Sequence, residues 1–378
     1  MRIAMVGTRG VPARYGGFET AVEEVGSRLA ERGHEVLVYC RGEDTSSSYL
    51  GMDRVRLPAL PSKSAETLSH TALSVAHLAK RRADAAIVFN AANAPFLPLL
   101  RAARIPYAVH MDGLEWKRAK WGPTGRRYYL ACERMAVKWS SALIADAVGI
   151  QDYYRRRYDA ETVFIPYGAP ILREPHLERL ADLDLTPQGY HVVVARLEPE
   201  NHVDVIVQGY VQSKATLPLV VVGSVPYASE HSEAVKALAA SDPRVRMIGS
   251  LWDQELLDAL YAGSASYLHG HSVGGTNPSL LRAMGAGTAV TALDVDFNRE
   301  VLGGTGLHFT DPASVAVALE QVETDPESAR KRGLAAQEQA STRYRWDDVA
   351  LQYEELALSL ASRGAPREPI RTKAPLDV

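Results

Sequence analysis

Short apolar runs alternate with amphipathic helical stretches along most of the chain. In order, the runs are 2–6, 35–40, 85–89, 106–110, 142–145, 162–166, 190–195, 218–223, 244–249, 265–269 and 288–293. Strands that are apolar on both faces and separated by helices form parallel sheets with helices on both sides. The pattern therefore predicts an α/β protein made of doubly wound parallel sheets.

A segment rich in proline and charge, residues 167–189, separates the first six runs from the last five. It indicates a linker, and together with the length of 378 residues it predicts two domains, 1–174 and 175–345. Ligands of open parallel sheets bind beyond the carboxyl ends of the strands. We therefore expect two Rossmann-like domains that face a central cleft.

The chain ends in a helical stretch that no strand follows. Within residues 346–362, Val349, Tyr353 and Leu356 fall on one helical face. A terminal helix of this kind can cap either domain. The last segment, 363–378, has three prolines and few apolar residues, so we expect it to be disordered.

Composition and charge narrow the class of protein. The net charge of −3 argues against a nucleic-acid partner. No apolar run approaches the roughly 18 residues that span a bilayer, and the N-terminus begins as a strand without a signal peptide. Cys40 and Cys132 are expected to be buried free thiols in a reducing compartment. The sequence predicts a cytoplasmic protein.

Glycines are frequent in the loop after the first strand, at Gly7, Gly10, Gly16 and Gly17. The last two directly precede a helical stretch, where bare backbone N–H groups can bind an anion. The spacing differs from the dinucleotide fingerprint, and residues 40–41 lack the acid that such a site needs. A tight turn without a ligand remains the alternative, although such loops rarely exceed about 6 residues.

The second domain carries a matching set of anion-binding features. Arg196 ends a predicted strand, and its guanidinium can pair with two phosphate oxygens. Further along, Gly274, Gly275 and Thr276 expose backbone amides before a helix that begins at Asn277. These residues predict a diphosphate site built from an arginine, amides and a helix N-terminus.

Three longer motifs are "GTRGVPARYGGFET" (7–20), "HMDGLEWKRAKW" (110–121) and "HGHSVGGTNPSLL" (269–281). They resemble retaining, family 4-like glycosyltransferases of the GT-B fold, and more narrowly bacterial rhamnosyltransferases of cell-wall and capsular polysaccharide synthesis. The resemblance covers almost the whole folded chain. It implies a GT-B fold in which the terminal helix, 346–362, crosses back to the first domain.

The resemblance implies a retaining, metal-independent transferase. The implied donor is a nucleotide-diphosphate deoxyhexose, dTDP-β-L-rhamnose, and the implied acceptor is a lipid-diphosphate-linked sugar or another saccharide. In such enzymes a helix dipole, an arginine and backbone amides stabilise the leaving diphosphate. No cofactor and no metal are expected, and the acidic triplets 182–184 and 294–296 are not interpreted as metal sites.

The resemblance also assigns the catalytic role to two residues near the end of the fourth strand. His110 and Asp112 are expected to contact the sugar or the acceptor, and Asp112 to orient or deprotonate the acceptor hydroxyl. A hydrogen-bonded histidine at a strand end, without a catalytic role, is the alternative for His110.

The resemblance assigns substrate binding to residues in the loops near His110 and Asp112. Donor binding includes the glycine pair 16–17, and acceptor binding falls to Tyr15, Phe18, Glu19 and Trp116. An acid near a helix N-terminus often only complements the helix dipole, which is the alternative for Glu19.

Two positions depart from the family's pattern. The broader family has glutamates where Gly274 and Arg282 stand, and the second glutamate accepts hydrogen bonds from ribose hydroxyls. Arg282 cannot do this, because a guanidinium has no acceptor; it could pair with phosphate or with an acid such as Glu300. Many relatives have a lysine at the place of Asn201, and Arg282 could supply that missing charge. Both residues are assigned to the donor site.

Residues 116–139 contain seven basic residues, three tryptophans and two tyrosines, but only one acid. Such a run is most often a solvated helical face. Basic and aromatic residues together also suit the headgroup zone of an acidic membrane, where lipid-linked acceptors reside. Peripheral contact with the inner face of the cell membrane is therefore a further hypothesis.

Three alternatives to the leading function remain open. The donor can be a UDP- or GDP-hexose instead of dTDP-rhamnose. Because of Arg282, the protein can be a catalytically weak or silent relative that binds a nucleotide or a partner. A nicotinamide dehydrogenase fits least, because the glycine spacing differs from its fingerprint.

Overall fold

The computed structural model describes residues 1–13, 16–42, 46–61, 65–111, 113–225 and 229–363, the side chain of Arg363 excepted. Tyr15, Asp112 and the predicted disordered tail from residue 364 onward lie outside the described residues. The chain divides into two compact units, Met1–Tyr167 together with the segment from Trp346 onward, and Gly168–Arg345.

The division falls a few residues before the predicted boundary at 174/175. Residues just after Tyr167 already bond within the second unit, because the Ala169 N–H donates to the Tyr344 carbonyl at 2.7 Å. The Leu172 N–H likewise donates to the Gly285 carbonyl at 3.0 Å. The start of the proline-rich segment is therefore part of the second unit.

The first unit is built on a sheet of eight described strands. They are β1 (Arg2–Val6), β2 (Glu35–Cys40), β3 (Ser48–Tyr49), β4 (Met52–Arg56), β5 (Ala85–Phe89), β6 (Tyr107–His110), β7 (Ala142–Ala145) and β8 (Val163–Phe164). Their order is β3-β4-β2-β1-β5-β6-β7-β8. Neighbours are parallel except β3 and β4, which are antiparallel.

The second unit contains a sheet of six described strands, all parallel to their neighbours. They are β9 (His191–Val194), β10 (Leu219–Val222), β11 (Val245–Gly249), β12 (Ser266–His269), β13 (Val290–Leu293) and β14 (Leu307–Phe309). Their order is β11-β10-β9-β12-β13-β14. Two Rossmann-like sheets are therefore present, as the apolar pattern predicts.

Helices connect the strands in both units. They are α1 (Gly17–Glu31), α2 (Glu66–Arg81), α3 (Leu97–Ala102), α4 (Pro123–Trp139), α5 (Val148–Tyr158), α6 (Val203–Gln212), α7 (Glu230–Ala240), α8 (Gln254–Gly263), α9 (Pro278–Gly285), α10 (Asp296–Leu302), α11 (Pro312–Thr324), α12 (Pro326–Arg343) and α13 (Trp346–Arg363). Short 3-10 turns occur at Ala91–Phe96, Glu115–Lys117, Leu177–Leu183 and Pro199–Asn201. None of the helices in the described ranges is both long enough and apolar enough to cross a bilayer.

Each predicted apolar run contains a strand, but the pattern does not predict β3, β4 or β14. These strands are short and lie at or next to a sheet edge. In β4 only Met52 is buried. A strand that is covered incompletely needs no continuous apolar run, so its sequence gives little signal.

The predicted amphipathic helix after the first strand is confirmed. In α1, Val22, Val25 and Leu29 are buried against the sheet side of the helix. The helix ends where Gly33 takes a φ of +87° and donates its N–H to the Ala30 carbonyl at 2.9 Å. A glycine at this position adopts the left-handed conformation without steric strain.

The terminal helix α13 packs on α1 and β5 within the first unit. Its predicted apolar face is buried, with Val349, Tyr353 and Leu356 each 5% exposed or less. Glu354 accepts from His34 Nε2 at 2.7 Å, which adds a polar contact to this packing.

Each sheet has one point at which the strand order reverses. In the first unit it lies between β1 and β5, and in the second between β9 and β12. The loops that leave such neighbouring strands run in opposite directions and open a crevice at the carboxyl edge of the sheet. Each unit therefore presents one crevice, and the predicted glycine loops lie at these two places.

Candidate functional site

In the second unit, the loops that follow β9 and β12 are bonded to each other. The backbone N–H and the hydroxyl of Ser272 both donate to the Glu200 carbonyl, at 2.9 and 3.0 Å. The Nδ1 atom of His202 lies 2.9 Å from the Gly270 carbonyl oxygen. Gly270 lies so close to the Asn201 carbonyl that a Cβ atom there would overlap it. The two loops thus form one wall of the crevice.

Arg196 and Asn201 have different roles in the first of these loops. The Asn201 side chain is buried, and its Nδ2 donates to the Arg196 carbonyl at 2.8 Å. It therefore holds the Arg196 backbone. The Arg196 side chain is exposed, and within the described ranges its guanidinium has no hydrogen-bond or ion-pair partner. Its five N–H donors are available for an anion.

The second loop leads directly into the N-terminus of α9. Gly274 has a φ of +141° and open space where a side chain would be, so the loop backbone is uncovered at this point. Gly275 and Thr276 are buried beside it. Asn277 caps the helix, because its Oδ1 accepts from the Ser279 backbone N–H at 3.0 Å. The predicted helix start is confirmed.

A chain of hydrogen bonds runs from this cap back to β12. The Ser279 hydroxyl donates to Asn277 Oδ1 at 2.7 Å and accepts from the Tyr267 hydroxyl at 3.0 Å. The Tyr267 oxygen must then accept from Nδ1–H of His269, which lies 3.0 Å away. Burial lowers the pKa of His269 to about 3. His269 is therefore neutral, with its proton on Nδ1.

Arg282 lies in the last turn of α9, where a cation complements the helix dipole. Its guanidinium forms a salt bridge with Asp258 of α8. The two side chains are only 20% and 23% exposed, and burial raises the pKa of Asp258. The suggestion that Glu300 is the partner is wrong. The charge of Arg282 is used within the unit to neutralise Asp258, which sequence reasoning missed.

In the first unit, the glycine loop is pressed against the ends of neighbouring strands. Gly7 and Gly10 have φ values of +99° and +92°, and a Cβ at either position would overlap Phe89 or Cys40, respectively. These contacts leave room for glycine alone. Gly16 is the N-cap of α1 and Gly17 its first residue, so bare amides do precede this helix.

Phe18 and Glu19 both have partners inside the first unit. The Phe18 ring packs edge-on against Phe89 and His110, with ring centroids 5.4 and 5.1 Å apart. Glu19 is 6% exposed, and its Oε1 accepts from the Arg9 backbone N–H at 2.9 Å. Burial raises the pKa of Glu19. The carboxylate therefore holds the glycine loop against the first turn of α1.

His110, at the end of β6, is almost completely buried. Its Nδ1 lies 2.9 Å from the Tyr353 hydroxyl of α13, while its buried Nε2 has no hydrogen-bond partner in the part of the chain described. Burial lowers the pKa of His110 to about 3, so the ring is neutral at physiological pH. Sequence reasoning missed Tyr353, although its place on the apolar face of the terminal helix was a usable signal.

Trp116 belongs to a cluster on the surface of the first unit. Its indole N–H donates to the Tyr153 hydroxyl at 3.2 Å, and the Arg157 guanidinium lies 5.9 Å from its ring centroid. Elsewhere in the run 116–139, Trp121 packs on Tyr129 at 5.0 Å. The exposed basic residues of this run are Lys117, Lys120, Arg126, Arg127, Arg134 and Lys138. Six of the seven cations in this run are therefore exposed, whereas Arg118 is mostly buried beside Glu115.

The acidic triplets have arginine partners. Asp294 and Asp296 both contact Arg299, at 2.5 and 3.2 Å. Asp182 pairs with Arg179 at 2.9 Å. Across the described ranges there is no group of three or more histidine, cysteine or acidic side chains that could hold a metal ion.

Different parts of the chain match two protein families. Residues 1–170 match the family described as a domain of unknown function, DUF1972, and residues 189–325 match the family described as glycosyl transferases group 1. The alpha-maltose-1-phosphate synthase of Mycolicibacterium smegmatis is 25% identical over 94% of this chain and 98% of its own length.

The fold of this chain is shared with solved structures. Sucrose-phosphate synthase from Thermosynechococcus elongatus matches with a TM-score of 0.83 at 22% identity, over 96% of this chain and 99% of that chain. HepE from Anabaena, in complex with UDP-glucose, matches with a TM-score of 0.75 at 18% identity, over 95% of this chain and 100% of that chain. The predicted GT-B fold is confirmed.

We predict that Arg282 and Asp258 stabilise the second unit as a pair. Arg282→Met or Asp258→Asn should each lower the free energy of unfolding by about 1–3 kcal/mol, because each leaves a partly buried group without its partner. The double variant should lose less stability than the two single variants lose in sum. Urea unfolding of the unaltered protein, the two single variants and the double variant measures this coupling energy. The same cycle on the exposed pair Lys331 and Glu327 of α12 should give about 0.5 kcal/mol or less; equal coupling in both cycles would contradict the prediction.

We also predict that His269 makes the protein sensitive to acid. The unfolded chain protonates this ring near pH ~6.5, whereas the folded pKa is about 3. The unfolded state therefore binds more protons between these values, and stability falls as pH is lowered through this window. The loss should reach about 2 kcal/mol at pH 5 relative to pH 7.

His269→Asn should remove that part of the pH dependence, measured as the urea midpoint at pH 7 and pH 5. Leu268→Val, at a buried core position of the same strand, should lower stability without changing the pH slope. An unchanged slope in His269→Asn would show that this ring is not the group responsible.

Proposed function

We propose that the protein is a retaining, metal-independent hexosyltransferase, because residues 189–325 match the family of glycosyl transferases group 1 and the fold is GT-B. The proposed donor is dTDP-β-L-rhamnose, and the proposed acceptor is a lipid-diphosphate-linked or other saccharide. One observation carries the proposal: the guanidinium of Arg196 has no partner among the residues that the structure describes, and it lies in a loop that is bonded to the loop before α9.

This arrangement suits a diphosphate leaving group. Transfer breaks the bond between the anomeric carbon and a diphosphate oxygen, so negative charge grows on the diphosphate. An arginine pairs with two of its oxygens, and the amides and dipole at the N-terminus of α9 supply further positive potential. Because the Arg196 backbone is held by Asn201, the guanidinium is attached to a fixed point.

The acceptor hydroxyl must lose its proton as the new glycosidic bond forms. Asp112 is the proposed base; it lies outside the described residues. The choice of rhamnose rests on the three motifs 7–20, 110–121 and 269–281 and their resemblance to bacterial rhamnosyltransferases.

A UDP-hexose donor is the second candidate. Its support is the similarity to HepE, whose structures contain UDP and UDP-glucose, and to sucrose-phosphate synthase. Arg282, which is paired with Asp258, cannot accept hydrogen bonds from a ribose diol, so a nucleotide-binding relative without transferase activity is the third candidate.

We predict that dTDP stabilises the protein in thermal-shift measurements more than UDP, GDP or NAD(H). Arg196→Ala should weaken dTDP binding by about tenfold to a hundredfold, because one charge-assisted interaction contributes roughly 1.5–3 kcal/mol. Arg330→Ala, which removes an exposed arginine from α12, is the matched control and should bind normally. Stabilisation by UDP would support the second candidate. Tight dTDP binding by Arg196→Ala would overturn the assigned diphosphate site.

The reaction type predicts the product. With dTDP-β-L-rhamnose and a saccharide acceptor, retention should give a β-L-rhamnoside, identified from the anomeric carbon–proton coupling by NMR. Turnover should be unchanged after treatment with EDTA, because arginine and backbone donors take the place of a cation. An α-L-rhamnoside would indicate inversion, and loss of activity restored by a divalent ion would contradict metal independence.

We further propose that the exposed cations of residues 116–139 contact an acidic membrane at its inner face. Vesicles containing anionic lipid should sediment the protein at low salt and release it at high salt, because exposed charges are screened. Arg126→Gln with Arg127→Gln should weaken binding, whereas Arg155→Gln with Arg156→Gln, on α5 of the same unit, should not. Equal binding to neutral and anionic vesicles would contradict the electrostatic contact.

A further inference from the structure

The contact between His110 and Tyr353 joins parts of the chain that are 243 positions apart. His110 ends β6 at the carboxyl edge of the first unit's sheet, while Tyr353 comes from the terminal helix α13. Phe18, Phe89 and Tyr167 surround the imidazole with ring centroids 5.1, 5.6 and 5.9 Å away. None of these rings forms a hydrogen bond with Nε2 of His110, which is buried and has no partner in the part of the chain described.

The hydrogen bond at Nδ1 can run in two directions. If Nδ1–H donates to the phenol oxygen, two groups are left unsatisfied: the Tyr353 O–H, which has no other partner within the described ranges, and the Nε2 lone pair. If the Tyr353 O–H donates to Nδ1, only one group is left, the Nε2–H. Each buried polar group without a partner costs about 1–3 kcal/mol, so the second arrangement is favoured.

The charges around the pair support a neutral phenol and a neutral imidazole. Burial lowers the pKa of His110 to about 3. Burial, and to a smaller extent the Asp146 carboxylate, raise the pKa of Tyr353 well above its ordinary value. The phenolic proton therefore stays on Tyr353 over the whole working range of pH and remains available to His110.

We propose that Tyr353 is a positioning residue that holds His110 in the Nε2–H tautomer, so that His110 donates a hydrogen bond to a substrate oxygen and does not act as a base. The substrate oxygen is a hydroxyl or another uncharged acceptor of the sugar part, which makes this inference dependent on the proposed function. Phe18, in the first turn of α1, packs on His110 and fixes the plane of the ring.

The tautomer can be measured without any turnover. In protein with ¹⁵N-labelled histidine, His110 should show an unprotonated Nδ1 and a protonated Nε2 at neutral pH, its signals being assigned by their loss in His110→Asn. His269, whose Nδ1–H donates to Tyr267, should show the opposite pattern in the same spectrum. A protonated Nδ1 on His110 in the unaltered protein would overturn the inference.

Variants test whether Tyr353 sets that state. Tyr353→Phe keeps the ring and removes the hydroxyl, so the Nε2–H pattern of His110 should become a mixture of tautomers. Tyr107→Phe is the matched control, because Tyr107 is a buried tyrosine of β6 whose hydroxyl donates to the Trp139 carbonyl at 2.7 Å. The control should leave the His110 spectrum unchanged; a change of equal size in both variants would mean a general loss of packing and would contradict the positioning role.

Kinetics separate the sugar contact from nucleotide binding. Tyr353→Phe should lower kcat/KM for the sugar nucleotide by about twofold to tenfold, the value of one neutral hydrogen bond, and leave the Kd of the nucleoside diphosphate unchanged. Unchanged kcat/KM would overturn the substrate contact. If the unaltered protein transfers no sugar, the proposed function fails, while the NMR spectrum still decides the tautomer.

Discussion

Strand order is the constraint on which both candidate crevices depend. In a parallel sheet all carboxyl ends lie at one edge, and the loops part only where the order reverses. In the second unit this places the loop after β9 beside the loop after β12. Gly270 allows their backbones to come together at Asn201, where any larger residue would overlap. Topology and one close backbone approach therefore bring the candidate anion-binding groups together.

Three side chains that the sequence assigns to the donor site, Arg196, Asn201 and Arg282, differ in their surroundings. Asn201 donates to the Arg196 carbonyl, and Arg282 neutralises Asp258. Buried or partly buried polar groups need such partners, because each group without a partner lowers the free energy of unfolding by about 1–3 kcal/mol. Exposed Arg196 stays hydrated without a partner in the described part of the chain, so it alone of these residues keeps its donors available. Burial thus separates the residues that support the loops from the candidate binding residue.

The same reasoning distinguishes two similar histidines. His110 and His269 each end a strand, each is uncharged because of burial, and each has Nδ1 near a tyrosine hydroxyl. Tyr267 must pass its proton to Ser279, so His269 donates to it. Tyr353 has no other acceptor in the described ranges, so it donates to His110. One pair of residue types therefore gives opposite tautomers, and only the third partner decides which.

The sequence by itself determined the two parallel sheets, the amphipathic α1, the terminal helix and the start of α9 at Asn277. Each of these follows from local signals, namely apolar periodicity, helix-capping residues and glycines at turns. It also indicated the GT-B fold through three contiguous motifs. The sequence did not predict the short strands β3, β4 and β14, because incompletely covered strands have no continuous apolar run.

Tertiary structure alone decided the partners of the polar side chains. Arg282 meets Asp258 across 24 positions, and His110 meets Tyr353 across 243. Asn201, only five positions from Arg196, turns inward and donates a hydrogen bond to the Arg196 carbonyl. Hydrogen bonds and ion pairs depend on distances of a few ångströms between elements that packing brings together. Local sequence does not determine those distances. It therefore predicts which chemical groups lie at a site but not which groups they pair with.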